Sequence, residues 1–413
     1  MTTVAPPVGP ADRLMASLFR DPLVAGEPYP VYHRLRETAP VHRSFTGHWV
    51  LSRYADAERV LRAPGVGKDV RAFIRGQGVA DWEEHPCFTR MLDHLIWANP
   101  PVHTRHRGLV SKVFTPRAVS GWEPAIEERV GELLAPLRDG GEVDLLEVLA
   151  FPLPVAVIGS LLGVPRSDWP MFHRLIRQVV LCVEPAPSAE QLALADQAAV
   201  ELNGYFDELI AERRARPVDD LISQLATARD DNGDQLTPPE LNSMVQFLFG
   251  AGFETTTNLI GNGMLALLRA PGQLEMLRSD ESLLPGAVEE LLRYDCSVQL
   301  TMRTAFEDLD VAGTTIPAGE SMVVLLGAAN RDPERFPDPD RLDITRPKVK
   351  PLSFGGGIHF CLGAGLARLE GRIAFRELLR AFPRIELATD RPQWRANLTM
   401  HGLERLPVRL LSK

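Results

Sequence analysis

The segment with the clearest chemical signal is FGGGIHFCLG, residues 354–363, in which a cysteine follows a run of glycines. Three consecutive glycines let the backbone approach a flat, bulky group without Cβ clashes. Cys361 stands where a long helix is predicted to begin, and a helix N-terminus favours the thiolate that binds metal. A lone thiolate cannot complete a zinc or iron–sulfur site, but it can be the one axial protein ligand of haem. Taken alone, the pattern is more typical of a glycine-rich turn before a buried cysteine.

A second pattern, GAGFETTT at residues 250–257, lies in the middle of a long predicted helix. Glycine and threonine are poor helix formers, and a threonine hydroxyl can divert backbone hydrogen bonds. The pattern predicts a kink that places an acid, Glu254, and an alcohol, Thr255, beside a cavity. A tolerated kink with Glu254 facing solvent is an equally good interpretation of the pattern by itself.

Two further pairs share a helix face because of their spacing. His103 and Arg107 are four residues apart, and two donors at that spacing suit a carboxylate or phosphate. A basic, solvated helix face is an equally good interpretation. Glu290 and Arg293 are three residues apart and, in isolation, indicate only a surface ion pair.

Long helices must position these residues, and helical patterns dominate the chain. The longest is predicted over 240–269, opened by a capping box from Thr237 to Glu240 and ended before Ala270-Pro271-Gly272. The other predicted elements are a helix over Pro28–Glu37, a strand over Trp49–Leu51, a helix capped by Asp56 and running through Leu61, an irregular stretch over 64–97, a buried helix within Val148–Val164, a helix over Pro285–Tyr294, short strands over 303–326, a helix from Cys361 to about Phe382 and a hairpin over Leu398–Leu411. The predicted fold class is mainly α with a minor β region, in a single domain over 1–413.

Composition narrows the class of protein. A formal net charge of -9 with 45% hydrophobic residues is typical of a globular chain and does not favour nucleic-acid binding. The first residues show no basic stretch followed by an apolar run, and no stretch reaches the roughly 20 apolar residues of a membrane span. We therefore expect a soluble, cytoplasmic chain with neither a nucleic-acid nor a membrane partner.

The motifs together resemble those of one family. FGGGIHFCLG fits FxxGxHxCxG, the haem-binding loop of the cytochrome P450 family, at every fixed position. GAGFETTT resembles the family's [AG]GxETT motif for oxygen activation, and the other two pairs resemble its HxxxR and ExxR motifs. The likeness covers nearly the whole chain and is closest to bacterial members that modify secondary metabolites. It implies the cytochrome P450 fold, with haem between the long central helix and the helix after the cysteine loop.

The resemblance also implies roles for single residues. Cys361 is the expected iron ligand of haem b (iron protoporphyrin IX), and Glu254 and Thr255 are the expected proton-relay pair. The expected further haem contacts are His103, Arg107, Arg303 and His359 at the propionates, Phe354 beside the ligand loop, and Gly363. The ExxR pair is expected to join Arg341 in a structural triad. Val102, His106 and Cys296-Ser297 depart from the family pattern, and Ser297 leaves the shape of the substrate pocket open.

The implied reaction inserts one atom of O₂ into a small molecule, most simply as a hydroxylation. Oxidative coupling, epoxidation, peroxide-driven oxidation and a haem protein without turnover stay open. No GxGxxG motif opens a βαβ unit, so ferredoxin and ferredoxin reductase are the expected electron donors. The segment over 94–122 lacks Asp and Glu, and its Arg105 and Lys112 are predicted to dock an acidic donor.

By resemblance, a largely apolar set of residues lines the substrate pocket. The set comprises Phe247, Ala251, Ser297, Val298, Leu300, Leu398, Thr399 and Met400. Apolar walls with a few polar groups are typical of ligand pockets, so we expect a medium-sized, largely apolar substrate such as a polyketide or terpenoid intermediate. An aromatic or cyclic-peptide substrate would suit the same walls.

Overall fold

The computed structural model describes residues 9–183, 187–230, 233–395 and 397–412. These residues form two compact units. The first unit comprises 68–119 and 155–253, and the second comprises 9–67, 120–154 and 254–412.

Helices account for most of the described chain, in agreement with the predicted fold class. In chain order they are α1 (Pro10–Arg20), α2 (Pro22–Gly26), α3 (Tyr29–Thr38), α4 (Tyr54–Arg62), α5 (Val70–Gly76), α6 (Pro86–Thr89), α7 (Val102–Ser111), α8 (Pro116–Ser120), α9 (Glu123–Leu134), α10 (Pro152–Leu162), α11 (Trp169–Val179), α12 (Ala189–Ala215), α13 (Leu221–Thr227), α14 (Pro238–Arg269), α15 (Pro271–Ser279), α16 (Leu284–Tyr294), α17 (Leu326–Asn330) and α18 (Ala364–Ala381).

The strands are short and, within the described residues, all belong to the second unit. They are β1 (Val41–Arg43), β2 (Trp49–Leu51), β3 (Val66–Gly67), β4 (Gly141–Asp144), β5 (Leu300–Ala305), β6 (Leu309–Val311), β7 (Thr314–Ile316), β8 (Ser321–Leu325), β9 (Arg384–Leu387), β10 (Gln393–Trp394), β11 (Leu403–Arg405) and β12 (Pro407–Leu411). The largest sheet has the order β1-β2-β8-β5-β3, in which only the pair β2 and β8 is parallel.

The 27-residue helix α12 organises the first unit. Its N-terminus is closed by a capping box, in which the Ser188 hydroxyl accepts from the Gln191 N–H and the Gln191 side chain accepts from the Ser188 N–H. The helix packs against α6, α11 and α13. Its apolar face helps to bury a core of Ile74, Trp82, Cys87, Phe88, Met91, Cys182, Leu192, Ala195 and Ala199.

The second unit combines the strands with helices that include α16, which carries the ExxR pair, and α18, which follows the cysteine loop. Helix α18 packs against α9 and α16, and α4 and α17 lie against each other beside the largest sheet. A buried cluster of residues from β2, α4, β8 and α17, including Leu51, Val60, Val324 and Ala329, forms the core there. Helix α16, which carries Glu290 and Arg293, also contacts α17.

The 32-residue helix α14 confirms the longest sequence prediction. The N–H of Thr237 donates to the Glu240 carboxylate at 2.8 Å, and the Glu240 N–H donates to the Thr237 hydroxyl at 3.4 Å. The predicted capping box therefore opens the helix. Residues 238–253 of this helix belong to the first unit and residues 254–269 to the second.

Three local predictions are wrong. Helix α4 begins at Tyr54 with Arg53 as its N-cap, so Asp56 lies inside the first turn and does not cap it. The stretch over 64–97 contains α5, α6 and single turns of 3₁₀-helix, which are too short to leave a periodic pattern. The tail is no hairpin, because β11 pairs with β10 while β12 lies between β4 and β9. Among the described residues, no helix is long and apolar enough to cross a membrane.

Candidate functional site

Cys361 lies three residues before the first residue of α18, Ala364. The Cys361 N–H donates to the Phe354 carbonyl at 2.9 Å, which closes the loop. Gly363 is the N-cap of α18, and the Ala364 N–H lies 3.5 Å from the Cys361 carbonyl. Cys361 is partly exposed, whereas the other three cysteines, all of them in the described chain, are buried. Cys361 is therefore the cysteine that a ligand can reach.

The glycines of this loop serve the packing of the protein itself. Gly355 and Gly357 have positive φ angles of 68° and 65°, which favour glycine. A Cβ on Gly357 would lie 2.2 Å from the Leu61 carbonyl oxygen, and one on Gly356 would lie 3.2 Å from the Leu61 Cβ. Helix α4 therefore approaches these two glycines closely. At Gly363, by contrast, no described atom lies within 4 Å of an added Cβ.

Two aromatic rings flank the cysteine. The Phe354 and Phe360 ring centroids are 6.3 Å apart, and the Arg368 guanidinium lies 4.5 Å from the Phe354 centroid. Arg368 also donates to Glu289 at 3.1 Å. Phe360 is exposed, and His359 is partly exposed within a single turn of 3₁₀-helix. The loop is thus fixed from one side and accessible from the other.

Arg303 on β5 is a buried cation that the described protein leaves without an anion. The residue is only 4% exposed, and its Nη1 donates to the Thr301 hydroxyl at 3.0 Å and to the Met302 carbonyl at 2.8 Å. No carboxylate of the described residues forms a salt bridge with it, and burial lowers the pKa of Arg303 to about 10. Because a buried charge is costly without a partner, Arg303 suits an anionic group supplied from outside the chain.

The acid of the second motif has a partner that the sequence did not reveal. Glu254 is buried, and its Oε1 accepts from Arg395 Nη1 at 2.5 Å. Arg395 Nη2 also donates to Asn258 Oδ1 at 3.0 Å, and Asn258 Nδ2 donates to Ser297 Oγ at 3.0 Å. Arg395 follows β10 and carries no recognisable motif, so only the folded structure identifies it.

Most residues of helix α14 are buried, but an accessible row runs through its middle. Phe247, Ala251 and Thr255 follow each other at intervals of four residues and are partly or fully exposed, whereas Glu254, Thr256 and Thr257 are buried. A row with this spacing lies on one helix face. In the first unit, the His94 ring lies 5.7 Å from the Phe247 ring, and burial together with the Arg90 charge lowers the pKa of His94 to about 3. Its imidazole is therefore neutral.

Two predicted pocket stretches of the second unit lie side by side. Val298 forms an antiparallel bridge with Met400, the Gln299 N–H donates to the Thr399 carbonyl at 3.2 Å, and the His401 N–H donates to the Ser297 carbonyl at 2.7 Å. Leu398 is 3% exposed, and Leu300, Thr399 and Met400 are partly buried. The structure therefore brings together six predicted residues, namely Ser297, Val298, Leu300, Leu398, Thr399 and Met400. Asn258 joins them through its hydrogen bond to Ser297.

Helix α7 of the first unit carries the predicted pair at its N-terminal end. His103 is 3% exposed, and burial together with the charges of Arg107 and His106 lowers its pKa. Arg107 is partly buried. The spacing of four residues places both side chains on one face of α7, as predicted.

Arg105, one of the two residues predicted to dock an electron donor, is engaged within its own unit. Arg105 forms an ion pair with Glu240 and donates to the Gln235 carbonyl at 3.3 Å. Burial acts to raise the pKa of Glu240, but hydrogen bonds from Thr237 and His106 and the charge of Arg105 lower it to about 2. Arg105 therefore serves its own unit. Lys112 is exposed, and its docking role stays a prediction.

The ExxR cluster also differs from the prediction in one residue. Arg293 donates to both oxygens of Glu290, at 2.7 and 2.8 Å, and both side chains are fully buried. The third member is Arg346, whose Nε lies 3.4 Å from Glu290. Arg341 contributes only its backbone carbonyl, which accepts from Arg293 at 3.3 Å. The sequence alone could not decide which of these two arginines of the same coil contacts Glu290.

Among the described residues, no group of three or more His, Cys, Asp or Glu side chains is placed to hold a metal ion. A metal at Cys361 would therefore need most of its ligands from a cofactor. A porphyrin supplies such a set, since it leaves only axial positions for the protein.

Comparison with known proteins agrees with these features. The family model described as Cytochrome P450 matches residues 31–409. Vitamin D(3) 25-hydroxylase from Pseudonocardia autotrophica is 43% identical over 387 residues, covering 92% of this chain and 93% of that protein. Cytochrome P450 monooxygenase PikC from Streptomyces venezuelae is 42% identical over 418 residues, covering 99% and 95%. The solved structure of PksS, a cytochrome P450 of the bacillaene polyketide synthase of Bacillus subtilis 168, superposes with a TM-score of 0.84 at 39% identity, covering 95% of this chain and 98% of that one.

Proposed function

Since this chain belongs to the cytochrome P450 family and is a P450 monooxygenase, we propose that it hydroxylates a medium-sized, largely apolar small molecule of secondary metabolism. The observation that carries the proposal is Cys361, the one partly exposed cysteine, held at the end of a closed loop. The family match spans both compact units, which supports treating residues 1–413 as a single domain.

Haem b fits the residues of the second unit. Cys361 is assigned as the thiolate ligand, and Arg303, a buried cation without a carboxylate among the described residues, is assigned to a propionate. His359, Phe354 and Gly363 belong to the same assignment. Thiolate-ligated haem, when bound, would activate O₂ with two electrons that a redox partner delivers.

The first unit contributes two further assignments to the cofactor. His103 and Arg107 are assigned as propionate donors, which the spacing on α7 supports. Burial together with the charges of Arg107 and His106 lowers the pKa of His103 and so favours its neutral imidazole, whereas Arg107 supplies the charge.

Glu254 and Thr255 are assigned to proton delivery. Thr255 lies in the accessible row of α14, and the buried Glu254 precedes it. Replacing Thr255 by alanine should leave NADPH consumption intact while product falls and hydrogen peroxide rises. Thr257→Ala, at a buried threonine of the same helix, is the matched control and should stay coupled. Unchanged product per NADPH in the Thr255 variant would make its role structural.

The substrate is assigned as largely apolar because most side chains in the paired stretches over 297–300 and 398–400 are apolar. Val298, Leu300, Leu398 and Met400 supply apolar surface, whereas the Ser297 hydroxyl is already engaged by Asn258. The named relatives agree in class, since one hydroxylates vitamin D3 and another serves a polyketide synthase. Phe247 and Ala251 on the accessible row and the side chain of Thr399 complete the assignment.

Electrons are assigned to ferredoxin and ferredoxin reductase, and the location to the cytoplasm. A reconstituted system of NADPH, ferredoxin reductase and ferredoxin should support product formation. Hydrogen peroxide as the sole driver should support much less.

The central test is the spectrum of the reduced, CO-bound protein. The parent should show the red-shifted band of a thiolate ligand, and Cys361→Ser should lose it. Serine at Cys87, Cys182 or Cys296 should retain the band, because these cysteines are buried in protein cores. A parent without the band, or its loss in any of the three controls alone, contradicts the proposal. Spin-state shifts with vitamin D3, macrolide polyketides, terpenoids and cyclic peptides then identify the substrate class.

A further inference from the structure

An ion pair ties the acid of the proton-relay assignment to the C-terminal part of the chain. Arg395 Nη1 donates to Glu254 Oε1 at 2.5 Å, and the two side chains are 16% and 5% exposed. The partners are 141 residues apart in sequence. Because both are largely withdrawn from solvent, this contact is much less screened than a surface salt bridge.

The other two nitrogens of the Arg395 guanidinium each donate one hydrogen bond as well, so the group is held in one orientation. Nη2 donates to Asn258 Oδ1 at 3.0 Å, and Nε donates to the Leu403 carbonyl at 3.1 Å. The Arg395 backbone N–H donates to the Gly402 carbonyl at 3.0 Å. An arginine fixed by its own backbone and by two further acceptors dictates where the carboxylate oxygen must lie.

The space around this contact is closed. Asn258, one turn after Glu254, donates to Ser297 Oγ at 3.0 Å. A Cβ on Gly402, just before β11, would lie 2.1 Å from Asn258 Oδ1, so a larger residue there would displace the Asn258 side chain. The arrangement of Arg395, Asn258 and Glu254 therefore depends on the specific residues at three separate places in the chain.

The two oxygens of Glu254 are in different situations. Oε1 is held by Arg395, whereas Oε2 is buried and has no hydrogen-bond partner among the described residues. A buried carboxylate without a counter-charge would be strongly destabilised. Arg395 thus supplies a counter-charge at Oε1, while Oε2 has no donor among the described residues.

We propose that Arg395 is a positioning residue for proton delivery, which fixes the orientation and the charge of Glu254 and does not itself touch substrate or cofactor. The inference rests on the proposed monooxygenase function. It differs from a purely structural role, in which Arg395 would only hold the β10–β11 region against α14 and its loss would lower the unfolding temperature without changing the protonation of Glu254 or the product per NADPH.

The experiment uses Arg395→Met, Glu254→Gln, the double variant and Arg395→Lys. Arg405→Met, which removes an exposed arginine of β11 that pairs with Asp144, is the control. Two readouts do not need turnover: the infrared band of a protonated carboxyl group that disappears in Glu254→Gln, and the thermal unfolding temperature of the haem-free chain. The third readout is product and peroxide per NADPH in the reconstituted system, with vitamin D3 as the probe.

We expect Arg395→Met to gain the protonated-carboxyl band at pH 7 and to lose about tenfold in product per NADPH, a modest share of what a positioned proton donor contributes. Arg395→Lys should restore both to within about threefold, since it keeps the charge. Adding Arg395→Met to Glu254→Gln should change coupling by less than about twofold, because the arginine acts through the missing acid. Arg405→Met should match the parent.

Additive effects of the two substitutions on both coupling and unfolding temperature would overturn the inference, as would an unchanged infrared spectrum in Arg395→Met. Failure of the parent to form the thiolate-type CO band rejects the proposed function instead. If vitamin D3 is not turned over, the infrared spectra decide the inference: a protonated-carboxyl band that Arg395→Met gains and the double variant lacks supports it, and an unchanged spectrum overturns it.

Discussion

Two buried arginines of the second unit, Arg293 and Arg303, differ in their partners, because the first contacts a carboxylate and the second, within the described chain, does not. Arg293 is fully buried and donates to both oxygens of Glu290 and to the carbonyls of Asn330 and Pro339. Arg303 is 4% exposed but finds only a hydroxyl and a carbonyl, and no carboxylate among the described residues. Since a buried charge persists only where something compensates it, the first arginine belongs to the scaffold and the second indicates a ligand.

Two carboxyl groups on the packed helices α16 and α18 show the same contrast. Glu290 accepts from Arg293, from Arg346 and from the Asp343 N–H at 3.0 Å. Glu370 is 3% exposed, its Oε2 has no hydrogen-bond partner among the described residues, and burial raises its pKa to about 8. A satisfied buried charge stabilises the fold, whereas an unsatisfied one makes stability depend on pH or on a bound group.

The largest effect is expected where the charges are satisfied. Glu290→Gln should lower the free energy of unfolding by about 3–5 kcal/mol, because Arg293 would stay buried without its anion. Denaturant unfolding of the haem-free chain measures this loss. The control is Glu289→Gln, which breaks the partly exposed pair with Arg368 and should cost about 1 kcal/mol or less. Equal losses in the two variants would remove the distinction between scaffold and surface charges.

In contrast to Glu290→Gln, Glu370→Gln should raise the free energy of unfolding at high pH. Because the folded pKa of about 8 lies above the ordinary value of 4.5, Glu370 favours folding at low pH, and this contribution is lost as pH rises from 4.5 through 8. The glutamine cannot ionise. We therefore expect the variant to be close to the parent at pH 5 and more stable by about 2 kcal/mol or more at pH 9.

Denaturant unfolding at several pH values tests this expectation. Glu377→Gln on the same helix, a partly exposed partner of Arg376, is the control and should show no such gain. A difference between Glu370→Gln and the parent that stays constant from pH 5 to 9 would show that Glu370 does not titrate in this range.

Arg303→Met should separate stability from cofactor binding. Without haem, the variant should be no less stable than the parent, because it removes a buried cation that lacks an anion in the described chain. Haem should dissociate from the variant about tenfold faster or more than from the parent, since a hydrogen bond to a charged group contributes about 1.5–3 kcal/mol. Haem transfer to an acceptor protein measures the second effect. A haem-free variant that is clearly destabilised would place Arg303 with Arg293 in the scaffold.

Local patterns predicted those parts of the fold that local interactions determine. The capping box at Thr237, the spacing of Glu290 and Arg293 and the position of Cys361 all follow from neighbours within a few residues. The tail was predicted wrongly because the pairing of β12 with β4 and β9 is set across the chain. Arg395 was missed for the same reason, since no local pattern connects it to Glu254. The structure pairs the stretches over 297–300 and 398–400, which no spacing in the sequence could have indicated, and their role in substrate binding stays a prediction.

The smallest expected effect distinguishes Arg346 from Arg341, the two candidates for the third member of the buried cluster. Arg346 is 11% exposed in its side chain, approaches Glu290 at 3.4 Å and donates to the Pro337 carbonyl at 2.6 Å. Arg341 is exposed, and its backbone carbonyl would survive any substitution. Arg346→Met should therefore cost about 1–2 kcal/mol of unfolding free energy, whereas Arg341→Met should cost no more than about 0.5 kcal/mol. The loss at Arg346 stays below that at Glu290 because Arg293 still compensates the carboxylate. Urea unfolding of both haem-free variants resolves the difference, and a larger loss at Arg341 would restore the assignment that the sequence suggested.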